Sequence, residues 1–317
     1  MPKILVSLRV IFVLFLFLFL SVAQGDVLCY LYRHFIDASS EPVHWLLGGA
    51  AAAILILIMW LLSRTAVCRR YPLIETIPAG FAAVLAVSLP FASWQHVLVT
   101  ILYYCVAAAT LIFCNRLLQK AYHTARRRLP LLIYGTGLLL VCFVTGLRAT
   151  ATDADHYELR TAEALRRCDY AAAYRTGEIA LAVTPRLFAM RSYLLATQGE
   201  GLSQTLFKQP IPAGGSKHLL LPNDEWQRLN FSPDSLYVRL GGTPAQGETP
   251  LQFLQRLALP ADTAHRPTPL ARDYYLCALL LDRRLSDFAE TYAALCPGDS
   301  VQIPRFYSEA LALHSRK

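Results

Sequence analysis

Acidic residues are scarce in the first half of this 317-residue chain. Of its 22 Asp and Glu, only four precede residue 149: Asp26, Asp37, Glu41 and Glu75. The same half contains twelve Lys and Arg and so holds the whole net charge of +8, while residues 149–317 balance 18 bases against 18 acids. Because the bases lie in loops between apolar runs, as in membrane proteins, the basic pI does not indicate nucleic acid as a partner.

Sequence motifs for common catalytic and metal chemistry are also missing. The chain has no zincin, P-loop or G-x-S-x-G motif. Its eight cysteines are never closer together than nine residues, which excludes a CxxC site. The sequence therefore predicts no metal and no cofactor. Cys277 and Cys296 are interpreted as small apolar core residues, with a disulfide among the outward-facing cysteines as the alternative.

The first 148 residues do contain long apolar runs. A membrane-spanning helix needs about 20 mostly apolar residues. Five stretches are assigned as spans on this ground: 4–22, 43–62, 73–92, 97–114 and 129–147. The third is the weakest, because it contains Glu75, Pro78 and Pro90. The predicted fold class is mostly α, with a five-helix transmembrane bundle in residues 1–148 and the lipid bilayer as its partner.

The first apolar stretch has two interpretations. As a span, it carries Arg9 near its start, where the side chain can snorkel to the interface. As a secretory signal peptide, it has a basic start at Lys3 and Arg9 and a cleavage site at Ser21-Val22-Ala23. We favour retention of the segment, and in both cases the residues after Gln24 lie outside the cytoplasm.

Basic residues alternate between the loops, and the positive-inside rule converts this into an orientation. They concentrate before or at the start of the first span, after the second and after the fourth, at Lys3, Arg9, Arg64, Arg69, Arg70, Arg116, Lys120, Arg126, Arg127 and Arg128. The N-terminus is therefore predicted to be cytoplasmic, in a bacterial inner membrane. After five spans the C-terminal domain is predicted to be extracytoplasmic.

Residues 149–317 are predicted to form this domain, which is soluble and helical. Apolar residues recur at helical spacing on both sides of a proline- and glycine-rich insert at 208–269. A structureless loop of that length is unusual inside a compact domain. We therefore expect the insert to pack along the helices, anchored by Trp226 and Phe231.

One segment of this domain, formed by Cys168-Asp169-Tyr170, Ala173, Ala180-Leu181 and Pro185, resembles the second helix of a tetratricopeptide repeat. That family spaces an aromatic residue, two alanines and a terminal proline in this way, although Gly177 stands where it has a second aromatic residue. The resemblance covers one repeat of about 34 residues and implies an α-α hairpin stacked on its neighbours.

The two-part arrangement as a whole resembles an uncharacterised bacterial family of multi-pass membrane proteins with a degenerate tetratricopeptide-like tail. The stretches 188–207 and 272–309 carry this resemblance. It implies no catalytic residue, so the function has to be argued from individual side chains.

Three residues are candidates for a polar site at the outer membrane surface: Asp26, His44 and His96. Glycosyltransferases that use polyprenyl donors place an acid in the first outer loop, and Asp26 holds a similar position. The alternative is that all three are solvated interface residues.

Glu75 is a candidate proton-relay carboxylate. Gly214-Gly215-Ser216-Lys217 is a candidate anion cradle, with a surface turn as the alternative.

The leading functional hypothesis is a membrane-anchored interaction or scaffold protein. It presents a helical-repeat-like domain outside the cytoplasm, with envelope proteins or peptides as partners. The alternative is a membrane-surface enzyme, similar to polyprenyl-donor glycosyltransferases, that uses the outer-loop acids. A transporter component is the third hypothesis, and the near absence of polar residues at mid-membrane argues against it.

Overall fold

A computed structural model describes residues 2–36, 43–71, 73–88, 94–121, 128–149, 152–179, 183–198, 202–208, 210–229, 231–260, 266–296 and 303–316. Within these ranges the chain forms seventeen α-helices and no β-strand, which confirms the mostly α prediction. The chain divides into two compact units, Met1–Thr152 and Asp153–Lys317.

The described part of the first unit contains seven α-helices, and a π-helical turn at Phe19–Ala23 extends the first of them. They are α1 (Pro2–Leu18), α2 (Gly25–Phe35), α3 (His44–Ser63), α4 (Ala66–Arg70), α5 (Thr76–Ser88), α6 (Trp94–Ala121) and α7 (Arg128–Arg148). Three stretches are long and apolar enough to cross a membrane: Leu5–Ala23, His44–Ser63 and Trp94–Arg116. A fourth is reached if Leu132–Arg148 is counted together with the helix that follows it.

These three stretches coincide with the predicted spans 4–22, 43–62 and 97–114, but the predicted count of five is not reached. Helix α7 coincides with the predicted span 129–147, but it is long and apolar enough to cross a membrane only if the next helix is counted with it. Helix α5 has 13 residues, against about 20 for a full span. Residues 89–92 of that predicted span lie outside the described residues.

The late start of α5 has a local cause. Leu73 is buried and adopts the left-handed backbone conformation, with φ of 70°, so the chain cannot be helical there. The helix begins at Thr76, whose hydroxyl donates to the Leu73 carbonyl oxygen at 2.6 Å. This turn shortens the apolar helix that the sequence alone predicts.

The outer surface of the first unit is apolar. Large hydrophobic side chains are exposed along α1, α3, α6 and α7, whereas soluble units bury such residues. Trp45 and Trp60 are exposed near opposite ends of α3, and Trp94 is exposed at the start of α6. Tryptophans at these positions are typical of the two membrane–water interfaces. The exposed surface of these helices is therefore compatible with a lipid environment.

Helices α6 and α7 form an antiparallel pair in nearly constant register. Three side-chain hydrogen bonds join them: Tyr134 to Asn115 (2.7 Å), Tyr104 with Thr145 (2.7 Å) and Arg148 to Thr100 (3.1 Å). Residue numbers rise along α7 as they fall along α6, in nearly equal steps. The two helices therefore run side by side over about 22 Å between the first and last of these bonds.

The described part of the second unit contains ten α-helices, with 3-10 turns at Leu206–Lys208 and Gly215–His218. They are α8 (Asp153–Arg166), α9 (Tyr170–Ile179), α10 (Pro185–Gln198), α11 (Leu202–Thr205), α12 (Asn223–Arg228), α13 (Asp234–Leu240), α14 (Pro250–Ala258), α15 (Pro269–Leu281), α16 (Leu285–Leu295) and α17 (Arg305–Ser315). The insert therefore contributes three short helices, α12 to α14. Trp226, its predicted anchor, is buried in contact with Tyr193 and Phe231.

Two helices form the centre of this unit. All ten residues from Leu187 to Ala196 in α10 are buried. In α15 the six residues from Tyr274 to Leu279 are buried as well, including Cys277. The two helices touch where the Tyr274 hydroxyl donates to the Ser192 carbonyl oxygen at 2.9 Å. A helix buried on all sides has to be surrounded by others, so the remaining helices pack around this pair.

Candidate functional site

Asp26 lies in the first turn of α2, a helix that the sequence prediction leaves as an outer loop. Its carboxylate accepts a hydrogen bond from the Val27 amide at 3.0 Å, and the positive end of the helix dipole favours a negative charge there. The preceding residue, Gly25, packs against His44, since a Cβ at position 25 would lie 2.8 Å from the His44 Cβ. The starts of α2 and α3 are therefore neighbours.

His96 lies in the first turn of α6 and is positioned by Arg148 at the end of α7. One ring nitrogen, Nδ1, is 2.9 Å from Arg148 Nη2, and the other, Nε2, is 3.1 Å from the Arg148 carbonyl oxygen. The Arg148 guanidinium also donates to the His96 carbonyl oxygen. With both ring nitrogens engaged, His96 joins two helix ends, and acting as a general base would require it to leave Arg148.

The candidate anion cradle at residues 214–217 is filled by the chain itself. Ser216 donates to the Asp282 carboxylate from its amide (2.8 Å) and from its hydroxyl (2.6 Å). Gly215 has φ of 62°, and a Cβ there would collide with an Asp282 carboxylate oxygen. The turn therefore does bind an anion, and that anion is the carboxylate at the end of α15.

Two helical hairpins of the second unit have turns of the same type. In the α8–α9 turn Cys168 has φ of 56°, and in the α15–α16 turn Arg283, 115 positions later, has φ of 59°. The hydrogen bonds around the two residues also correspond: Cys168 N to Leu165 O and Asp169 N to Ala164 O in the first, Arg283 N to Leu280 O and Arg284 N to Leu279 O in the second. This is the left-handed C-terminal capping pattern of helices.

A carboxylate occupies the same place in both hairpins, again 115 positions apart. Glu158 in α8 accepts a hydrogen bond from the Thr184 hydroxyl and pairs with Arg186 at 3.3 Å. Asp273 in α15 accepts a hydrogen bond from the Tyr307 hydroxyl at 2.7 Å. In each case the acid of the first helix reaches the start of the third helix, α10 or α17. Burial raises the pKa of Glu158, and the hydrogen bond from Thr184 opposes this shift.

The remaining helices correspond as well. Ala173 in α9 and Phe288 in α16, equally spaced from their turns, are both fully buried. A Pro-Arg pair stands at the start of both third helices, although Pro304 precedes α17 while Pro185 is the first residue of α10. Both helices bury an aromatic side chain three residues after the proline, Phe188 in α10 and Tyr307 in α17. The segments 153–198 and 269–315 therefore share a turn type, a carboxylate position and a Pro-Arg pair, although Ala180 and Leu181 of the first lie outside the described residues.

Comparison of the chain with known protein families, with curated proteins and with solved structures gave no match. Within the part of the chain that the structure describes, no group of three or more His, Cys, Asp or Glu side chains could hold a metal ion. The assignment of a function therefore has to come from the geometry of the two units.

Proposed function

We propose that this protein is a membrane-anchored interaction protein of the bacterial inner membrane. Residues 1–148 cross the membrane five times with the N-terminus in the cytoplasm, and residues 149–317 form an extracytoplasmic helical domain that binds envelope proteins or peptides. The observation that supports the proposal is the left-handed hairpin turn that occurs twice in the second half, at Cys168 and at Arg283. Repeated helical hairpins of the tetratricopeptide type present surfaces that bind other chains.

The pairing of α6 and α7 supports the larger number of spans. If α6 crosses the bilayer, α7 runs beside it over most of that distance and has to cross as well. Helix α5 is shorter, but its buried residues face α3, α6 and α7. A helix enclosed by others does not have to present a full span of apolar surface to lipid.

Contacts between helix ends support the proposed directions of the helices. Arg9 near the start of α1 pairs with Glu75 just before α5, which puts these two helix starts on one side. The contacts between Gly25 and His44 and between His96 and Arg148 join helix ends that the proposed topology assigns to the other side. This alternation is the one expected for helices that cross the membrane in turn.

The membrane-surface enzyme remains the second candidate, because α2 and α3 bring Asp26 and His44 to neighbouring helix starts. An acid and an imidazole at the outer surface are the groups that acid–base chemistry on a polyprenyl-linked sugar would use. In the second unit, Asp282 and Asp273 instead complete internal contacts. This favours a structural or binding role for the tail.

The test compares three substitutions in the full-length protein in cells, with cross-linking of the tail to a partner as the readout. Ala173→Arg places a charge at a fully buried position and should unfold the tail. Ala171→Arg adds the same charge at an exposed position of the same helix. Asp26→Asn removes the outer-loop acid and keeps its shape.

A binding protein keeps its cross-linked partner with Ala171→Arg and with Asp26→Asn and loses it with Ala173→Arg. An enzyme would instead lose its cellular activity with Asp26→Asn, at unchanged membrane abundance and with any cross-linked partner retained. The absence of any cross-linked partner for the unmodified protein would contradict the proposal.

A further inference from the structure

A buried ion pair joins the N-terminal helix to the start of α5. The Nε and Nη2 atoms of Arg9 each lie 2.6 Å from one carboxylate oxygen of Glu75. The Glu75 side chain is 1% exposed and the Arg9 side chain 37%. The second carboxylate oxygen of Glu75 is buried and has no hydrogen-bond partner among the described residues.

The two partners therefore depend on the pair to different degrees. Arg9 is partly open, so its guanidinium can reach water or lipid headgroups without Glu75. Glu75 is enclosed, and a buried carboxylate without a counter-charge is strongly unfavourable. Glu75 lies at the entry to α5, two residues after Leu73, whose φ is 70°.

Helix α1 is also packed along its length. Phe12, Leu16 and Leu20 are fully buried. Gly48 of α3 lies directly against the backbone of Ser21, and a Cβ at position 48 would collide with it. Ser21 begins the sequence that a signal peptidase would recognise, and here it is buried inside a helical turn.

We propose that the Arg9–Glu75 pair locks α5 into the membrane unit and makes its insertion depend on α1. Helix α5 is short and begins beside a carboxylate, so it is stable between its neighbours only while Arg9 compensates that charge. On this basis α1 stays in the mature protein as a structural helix. The inference rests on the five-span topology proposed above.

The experiment uses the full-length protein with three changes: Arg9→Leu, Glu75→Leu and the two together. Stability is measured as the temperature at which half of the detergent-solubilised protein is lost. An epitope inserted after Ser93, in the loop that should be extracytoplasmic, reports whether α5 is inserted. Arg64→Leu is the matched control, since it removes one basic residue on the same proposed side without touching Glu75.

Arg9→Leu should lower the temperature of half-loss by at least about 6 °C. It should also make the epitope inaccessible to an antibody added outside the cell. Glu75→Leu should have a smaller effect, because the Arg9 side chain can reach water. The double change should return the temperature of half-loss to within about 2 °C of the unmodified protein, because an apolar pair replaces the ion pair.

Two results would contradict the proposed role of the Arg9–Glu75 pair. Arg9→Leu could behave like Arg64→Leu, or the double change could be as damaging as Arg9→Leu alone. Failure of the underlying topology is distinguished from both, because the epitope would then be inaccessible in the otherwise unmodified protein.

Discussion

The two units place the same residue types in opposite environments. In the first unit Phe113 of α6 is 61% exposed, whereas in the second Phe288 of α16 is 0% exposed. Polar side chains also have different partners: in the first unit they join neighbouring helices, as Tyr134 joins Asn115, and in the second they complete turns and helix starts. The difference is the one expected if lipid surrounds the first unit and water the second.

The largest expected effect tests this contrast with one substitution in each unit. Phe288→Ala removes a fully buried ring and should destabilise the second unit by about 3–5 kcal/mol. Phe113→Ala removes a ring that faces outward and should cost less than about 1 kcal/mol, because lipid fills the space. Thermal unfolding of each variant in detergent measures both, and equal losses would contradict the membrane assignment of α6.

A smaller effect concerns the pH dependence of the second unit. Burial, more than any other contact, raises the pKa of Glu158 above its ordinary value of 4.5. A raised carboxyl pKa means that stability is complete below 4.5 and falls as pH rises through the folded-state pKa. Glu158→Gln should therefore be at least as stable as the unmodified protein at pH 7, with a flatter pH profile. A clear loss of stability at pH 7 would show that the contact with Arg186 outweighs burial.

Glu248 provides the matched control with the opposite sign. Its hydrogen bonds with Arg256 lower the pKa of Glu248 below 4.5, so its contribution is present above that value and is lost as pH falls through the folded-state pKa. Glu248→Gln should therefore weaken the protein at pH 7 and have no effect at low pH. The two variants together separate burial from ion pairing within one domain.

The smallest effect tests the equivalence of the two hairpin turns. Cys168 and Arg283 both adopt positive φ, which glycine tolerates better than any residue with a side chain. Cys168→Gly and Arg283→Gly should each stabilise the second unit by about 0.5–1 kcal/mol. Arg284→Gly is the control, since its φ is −84° and glycine there should give no gain. Opposite signs at 168 and 283 would argue against a shared turn.

The sequence predicts the features that depend on local composition. The helical character and three of the spans follow from the length of the apolar runs, without any knowledge of packing. The features that recur in the second half also have a sequence signal, namely acids at 158 and 273 and Pro-Arg pairs at 185 and 304. That signal stays hidden because the core residues between these markers differ, as Ala173 and Phe288 do.

Other features depend on contacts between distant residues and could not be predicted locally. Helix α2 has 11 residues, too few for a span, and it buries Arg33 together with Val27 and Cys29, a mixed set that the search for long apolar runs does not find. Arg9 and Glu75 are 66 positions apart, and only their isolation within apolar stretches suggests that they pair. Asp282 filling the turn at Ser216 is a similar case, since the glycines indicate an anion site but not the identity of the anion.

The most direct test of the two-unit account is a pair of fusions to a reporter enzyme that is active only outside the cytoplasm. Fused after Lys317, the reporter should be active, because an odd number of spans carries the second unit across the membrane. Fused after Arg128, it should be silent, because four spans return the chain to the cytoplasm. Activity after Arg128, or silence after Lys317 in a protein that accumulates normally, would contradict the proposed membrane topology.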